Sequence, residues 1–172
     1  AEIAPNIPES SAAEVIDAGG RFVGPGFVDS HTHFDKALTM SDKESCDLIE
    51  AIASYAAYCD SFSEQALAED ITRRASKIAR MVAVNGTTSV RTHSNMDVNT
   101  RMASIEALNQ LKKDVKGFLD MQISVLPNYY PIPEKREKTF ERLEYVCSHH
   151  LIDYIGGSPF FDTHEQNEKN MD

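Results

Sequence analysis

The chain has 172 residues, 41% hydrophobic and 26% charged, which is enough for one globular domain of ordinary size. Its 27 acidic and 17 basic side chains give a formal net charge of -10, a balance that disfavours nucleic acid as a partner. No apolar run approaches the roughly 18 residues of a membrane span, and AEIAPNIPES has neither the charged nor the apolar region of a signal peptide, so a cytoplasmic protein with no membrane partner is expected.

Residues 1 to 22 read as short strands and a turn, with Gly19-Gly20 supplying the turn. This is too little for a domain. RFVGPGFVDSHTH follows as a buried strand, entered through Gly24-Pro25-Gly26 and centred on Phe27 and Val28. An Ala-rich helix is expected over 44–62 and a second over about 63–84, where Leu67, Ile71, Ala75, Ile78 and Val82 recur at helical spacing. Ser61 with Glu64 forms a capping box before this second helix, and Asn85-Gly86 stops it.

TTSVRTH, residues 87–93, is short and β-branched and reads as the second strand. The helix over 99–116 presents Met102, Ile105, Leu108, Leu111 and Val115; FLDMQISVLPN, 118–128, is the third strand, ended by Pro127. A helix over about 134–150 turns Phe140, Leu143 and Cys147 inward, and LIDYIGGSPFF is the fourth strand. Strands alternating with helices imply an α/β fold of parallel strands and crossover helices, either a doubly wound sheet or a (β/α)8 barrel. Cys46, Cys59 and Cys147 show no C-x-x-C spacing, so neither a disulfide framework nor a thiolate metal site is indicated and packing is their expected role. The sequence opens without Met and ends in the polar run THEQNEKNMD, and it reads as a piece of a longer protein.

Candidate chemistry gathers at the end of the first strand. Residues i and i+2 of a strand share a face, so His31 and His33 project side by side at a carboxyl end, where α/β folds place active sites. Paired neutral imidazoles suit one divalent cation, zinc or iron(II). His93, ending the second strand, is either a hydrogen-bond donor to a bound substrate or a structural residue. Asp35 and Lys36 brace the following loop or form an exposed ion pair, and Arg91 either meets a carboxylate inside a barrel or lies on its surface. His149 and His150 end a helix and suit its dipole, whereas His164 sits in a polar tail.

The segments "IDAGGRFVGPGFVDSHTHFDKALT", "NGTTSVRTHSNMD" and "LDMQISVLPN" together resemble the amidohydrolase superfamily, and within it the cytosine deaminase group. The likeness runs from about residue 14 to 160. It implies a partial (β/α)8 TIM barrel, about the first four βα units, spanning 23–172, with residues 1–22 a remnant of a small β-sandwich. It also implies a metal-dependent hydrolase that cleaves a C–N bond of a small nitrogen heterocycle such as cytosine. Carried over, the first two metal ligands fall on His31 and His33, and the substrate-binding Gln of cytosine deaminase corresponds to Asn128, one methylene shorter. The family's other ligands, a His on the fifth strand and an Asp on the eighth, and its acid/base residues lie beyond this chain. The fourth strand carries no Lys to bridge two metals, so one divalent ion (Zn2+ or Fe2+) is implied. Two rival readings stand beside this one, a metal-free α/β binding module and an inactive truncated amidohydrolase whose open sheet edge favours a homo-oligomer.

Overall fold

Apolar and β-branched residues beside a glycine-rich entry produce the first strand, β1 (Phe27–Thr32). The structure is a computed structural model and describes residues 4, 5, 7–39, 47–127 and 133–157. Gly26 precedes β1 because a side chain there would strike that of Thr88 on the neighbouring strand. Next come α1 (Leu48–Asp60), α2 (Glu64–Val84), β2 (Thr87–Met96), α3 (Ala103–Val115), β3 (Asp120–Pro127), α4 (Pro133–Ser148) and β4 (Tyr154–Ile155). The described strands form one sheet in the order β1-β2-β3-β4, every pair parallel. Each α2-to-β2 type of crossover therefore returns the chain to the same end of the sheet, so all carboxyl ends gather together.

Burial alternates along the strands as the period of two requires. Val90, Thr92, Ser94 and Met96 of β2 are buried, as are Met121, Ile123 and Val125 of β3, and they join Ala75, Ala79, Ile105, Leu108, Leu111 and Val146 from α2, α3 and α4 in one core. Helices thus cover a single face. This arrangement is the partial (β/α)8 barrel, because a doubly wound sheet would carry helices on both faces. A smaller cluster of Cys59, Leu67, Ile71, Ala103 and Ala107 ties α1 to α2 and α3. Among the described residues no helix is long and apolar enough to cross a membrane.

Several local expectations need correction. The described part of 1–22 forms no strand: it holds a short 3-10 turn at Glu9–Ser11 and a turn at Gly19 and Gly20, whose φ values of 58° and 75° suit glycine. A strand needs a neighbour for its backbone groups, and here Ile16 and Phe22 remain 83% and 94% exposed. The cap of α2 is Ser63, whose hydroxyl accepts from the Ala66 amide, while Ser61 closes α1 and donates to the Tyr58 carbonyl. The expected box chose the right residue type two positions too early. The inward face of α4 is Thr139, Leu143 and Val146, leaving Phe140 half-exposed and Cys147 exposed. α3 starts at Ala103 because Asp97 and Thr100 fold the preceding residues into a tight turn through Asp97 Oδ1, which accepts from the Asn99 and Thr100 amides. β2 runs on to Met96, since Ser94, Asn95 and Met96 keep register with Val125, Leu126 and Pro127. The expected fourth strand is described only as far as residue 157, and its paired part is Tyr154–Ile155.

Candidate active site at the carboxyl end of the sheet

The strand alternation that buries Thr92 and Ser94 under the helices turns His93 and Asn95 to the opposite face, and His31 and His33 join them there. The ring centroids of His31 and His33 lie 5.2 Å apart, nearly perpendicular at 73°. His93 stacks on His31 with centroids 4.0 Å apart and planes 20° from parallel, and it stands 5.9 Å from His33. Three imidazoles therefore share one surface.

His33 is held in a defined way. Its Nδ1 lies 2.8 Å from the carbonyl oxygen of His93, and because a carbonyl can only accept, Nδ1 carries the proton. The lone pair is left on Nε2. Burial, reinforced by the nearby Lys36 ammonium and opposed by the His93 carbonyl, lowers the His33 pKa to about 4. The ring is neutral at pH 7 and suited to binding a cation. His93 is also shifted down, first by burial and then by repulsion from His31 and His33, against an opposing backbone contact with Thr32.

The residues after His33 are equally constrained. Thr92 Oγ1 accepts from the Phe34 amide at 3.0 Å, and Phe34 and Asp35 are fully buried. Asp35 Oδ2 accepts from Ser104 Oγ at 3.1 Å and from the Asn95 amide at 3.4 Å, while Oδ1 has no partner. Burial pushes this carboxyl up, against the pull of Lys36. Lys36 Nζ donates to Asn95 Oδ1 at 2.8 Å. The Asp35-Lys36 pair is thus no exposed ion pair; its two side chains grip the backbone and the side chain of Asn95 respectively. On the same face of the sheet as His93, Arg91 donates to Gln122 Oε1 at 3.0 Å and stacks on the Tyr154 ring at 4.3 Å. Arg91 thus lies on the interior-facing side of the sheet, but its partner there is an amide and a ring rather than the carboxylate expected.

Asn128 and His164 lie outside the described residues. His149 Nδ1 donates to the Tyr145 carbonyl at the end of α4, away from the site. Among the described residues, no group of three or more His, Cys, Asp or Glu side chains is arranged to hold a metal ion, and His31 and His33 stand there as a pair. The pair itself fits a cation in its donor chemistry. Two imidazoles on one tetrahedral ion at about 2.1 Å would have centroids roughly 5 Å apart, close to the observed separation. Asn95, Gln122 and Ser104 went unnoticed in the sequence, although the i, i+2 series Arg91, His93, Asn95 carried a signal for the first of them.

Comparisons with known proteins bear on the same segment. The amidohydrolase family model matches residues 14–138. N-isopropylammelide isopropyl amidohydrolase of Pseudomonas sp. (strain ADP) is 30% identical over 118 residues, which cover 67% of this chain and 29% of that protein. Imidazolonepropionase of Porphyromonas gingivalis is 27% identical over 168 residues, 90% of this chain and 38% of the relative. Among solved structures, 5-methylcytosine deaminase from Klebsiella pneumoniae, liganded with 5-fluorocytosine, superposes with a TM-score of 0.72 at 27% identity, covering 93% of this chain and 39% of that one. The chain therefore spans less than two fifths of the length of these relatives.

Proposed function

Because the chain belongs to the amidohydrolase family, we propose that it supplies the metal-binding first half of a barrel that hydrolyses a C–N bond of a small nitrogen heterocycle. The observation that carries this reading is the His33 Nδ1 to His93 carbonyl bond. It fixes the tautomer that leaves Nε2 free beside His31, at the end of the sheet where barrel enzymes work.

His31 and His33 would hold one divalent ion, zinc or iron(II), through neutral imidazole nitrogens. Such an ion would supply water acidified enough to give hydroxide near neutral pH. His33 keeps its donor geometry because its other nitrogen is engaged, and its low pKa prevents protonation from competing at neutral pH. Lys36, fixed on Asn95, sets a positive charge at the mouth beside His33. Arg91, with Gln122 and Tyr154, forms a cationic and aromatic floor on the same face. His93, on the same face as His31, is the proposed donor to a ring atom of the substrate, and Asn128 is the proposed amide that orients that ring. The amine-releasing step requires an acid within hydrogen-bond reach, and we expect that group on later strands of the barrel.

The relatives act, by their names, on an ammelide, an imidazolone and a methylated cytosine. Substituted pyrimidines and triazines are therefore the substrates to try first. The test is turnover of cytosine, isocytosine and N-alkyl triazines by the longer protein that contains this chain, with and without added zinc or iron(II), beside His31→Ala and His33→Ala. Metal-dependent release of ammonia or amine that both variants abolish is expected. Full activity in either variant would overturn the assignment. With two ligands, the 172-residue chain alone is expected to be inactive, and metal-dependent turnover by it would be equally damaging.

A further inference from the structure

A buried arginine on the outer layer reaches the loop that leaves β1. Arg74 of α2 is 3% exposed, and its Nη1 donates to two carbonyls of one turn, that of Asp35 at 2.8 Å and that of Ala37 at 2.7 Å. Its Nε donates to Asp70 Oδ2 at 2.7 Å, an oxygen that also accepts from Tyr58 at 2.6 Å. The guanidinium is thus oriented from behind before it touches the loop.

The gripped loop needs holding. The amides of Lys36 and Ala37 both point at the His33 carbonyl, so the turn begins on His33 itself. Immediately after the second gripped carbonyl, Leu38 has φ +62°, a left-handed conformation that a leucine rarely adopts and that persists only where the surroundings impose it. Arg74 is the cation that holds the carbonyls just before it, with the Tyr55 hydroxyl donating to the Asp35 carbonyl at 3.3 Å. Arg74 Nη2 is buried without a partner, an orphaned donor that stability alone does not explain.

We propose that Arg74 is a positioning residue: through the Asp35 and Ala37 carbonyls it fixes the strained turn that sets His33 and Lys36 at the mouth of the barrel. The link to metal binding rests on the function proposed above; the anchoring of the loop does not. Arg74 touches neither the imidazole nor the space a substrate would enter, and it acts by backbone alone.

Hydrogen–deuterium exchange and Zn2+ titration on the wild-type chain, Arg74→Met, Arg74→Lys and Asp70→Asn separate these statements. Arg74→Met is expected to speed exchange of the amides over 34–39 at least tenfold while those of β2 and β3 keep wild-type protection. Zn2+ affinity should fall about tenfold, and Arg74→Lys should recover part of both. Wild-type protection of 34–39 in a folded Arg74→Met, or acceleration spread evenly over the sheet, overturns the proposal. Should Arg74→Met fail to fold, Asp70→Asn, which keeps the arginine and loosens its orientation, must show the same local acceleration; unchanged protection there overturns it too. A wild-type chain that binds no Zn2+ would remove the metal reading and leave the exchange comparison to decide the role of Arg74.

Discussion

At the scale of single residues, the site is defined less by the two imidazoles than by what holds them. The His31-His33 spacing was legible because period two dictates a shared face. The tautomer of His33 was not, since it depends on a carbonyl sixty positions away in sequence. Lys36 on Asn95 and Arg74 on the Asp35 carbonyl were hidden for the same reason: a charged residue reads as solvent-facing until the fold supplies its partner. His33 is anchored and His31 is exposed, so the two should matter equally as ligands but differ in what their loss does to the loop. His33→Ala should reduce Zn2+ affinity by more than about 100-fold, beyond the usual cost of losing a supporting contact, and His31→Ala should do the same with less effect on the loop. Calorimetric titration checks the affinities; a twofold effect or less in either variant would contradict shared ligation.

At the scale of elements, helix faces were read correctly where packing is regular and misread at ends, where a single hydroxyl decides. Ser61 and Ser63 are two residues apart, and sequence pattern favoured the first because Glu64 follows it at capping-box distance. In the folded chain Ser63 caps α2. Ser63→Ala should therefore cost about 1 kcal/mol in urea unfolding, whereas Ser61→Ala should stay within about 0.5 kcal/mol. Equal costs would mean that neither side chain caps as described. The link between α1, α2 and the loop after β1 adds a pH dependence. Burial raises the Asp70 pKa, but hydrogen bonds from Tyr58, Arg74 and Arg73 outweigh it and leave the group below the ordinary carboxylate range. A depressed folded pKa gives stability that is complete above the unfolded value, about 4, and is lost as pH falls through the folded value. Asp70→Asn should cost about 1–3 kcal/mol at pH 7 and flatten the acid limb of the stability profile. Parallel acid limbs in the two proteins would show that Asp70 is not the group responsible.

At the scale of the molecule, strand and helix alternation was enough to indicate parallel strands, but it could not choose between a barrel and a doubly wound sheet. That choice needs the side of the sheet on which each helix lies, which only packing reveals: α2, α3 and α4 share one core. The consequence is a sheet with β1 and β4 at its edges and, among the described residues, no further strand to pair with either. Phe27 and Val28 of β1 are 69% and 71% exposed, and Tyr154 and Ile155 of β4 are 44% and 56% exposed. Unpaired amides beside exposed apolar side chains form a template for another strand, a hazard that edge lysines commonly suppress. The isolated chain should therefore associate as its concentration rises, with β1 as one contact. Sedimentation velocity should show mass above the monomer growing across the micromolar range, and Val28→Lys should move the population toward monomer. Because Val28 lies largely outside the core, that substitution should alter the unfolding midpoint by no more than about 0.5 kcal/mol of stability. A wild-type chain that stays monomeric at every concentration would show that these edges are protected, and association unchanged by Val28→Lys would place the contact elsewhere.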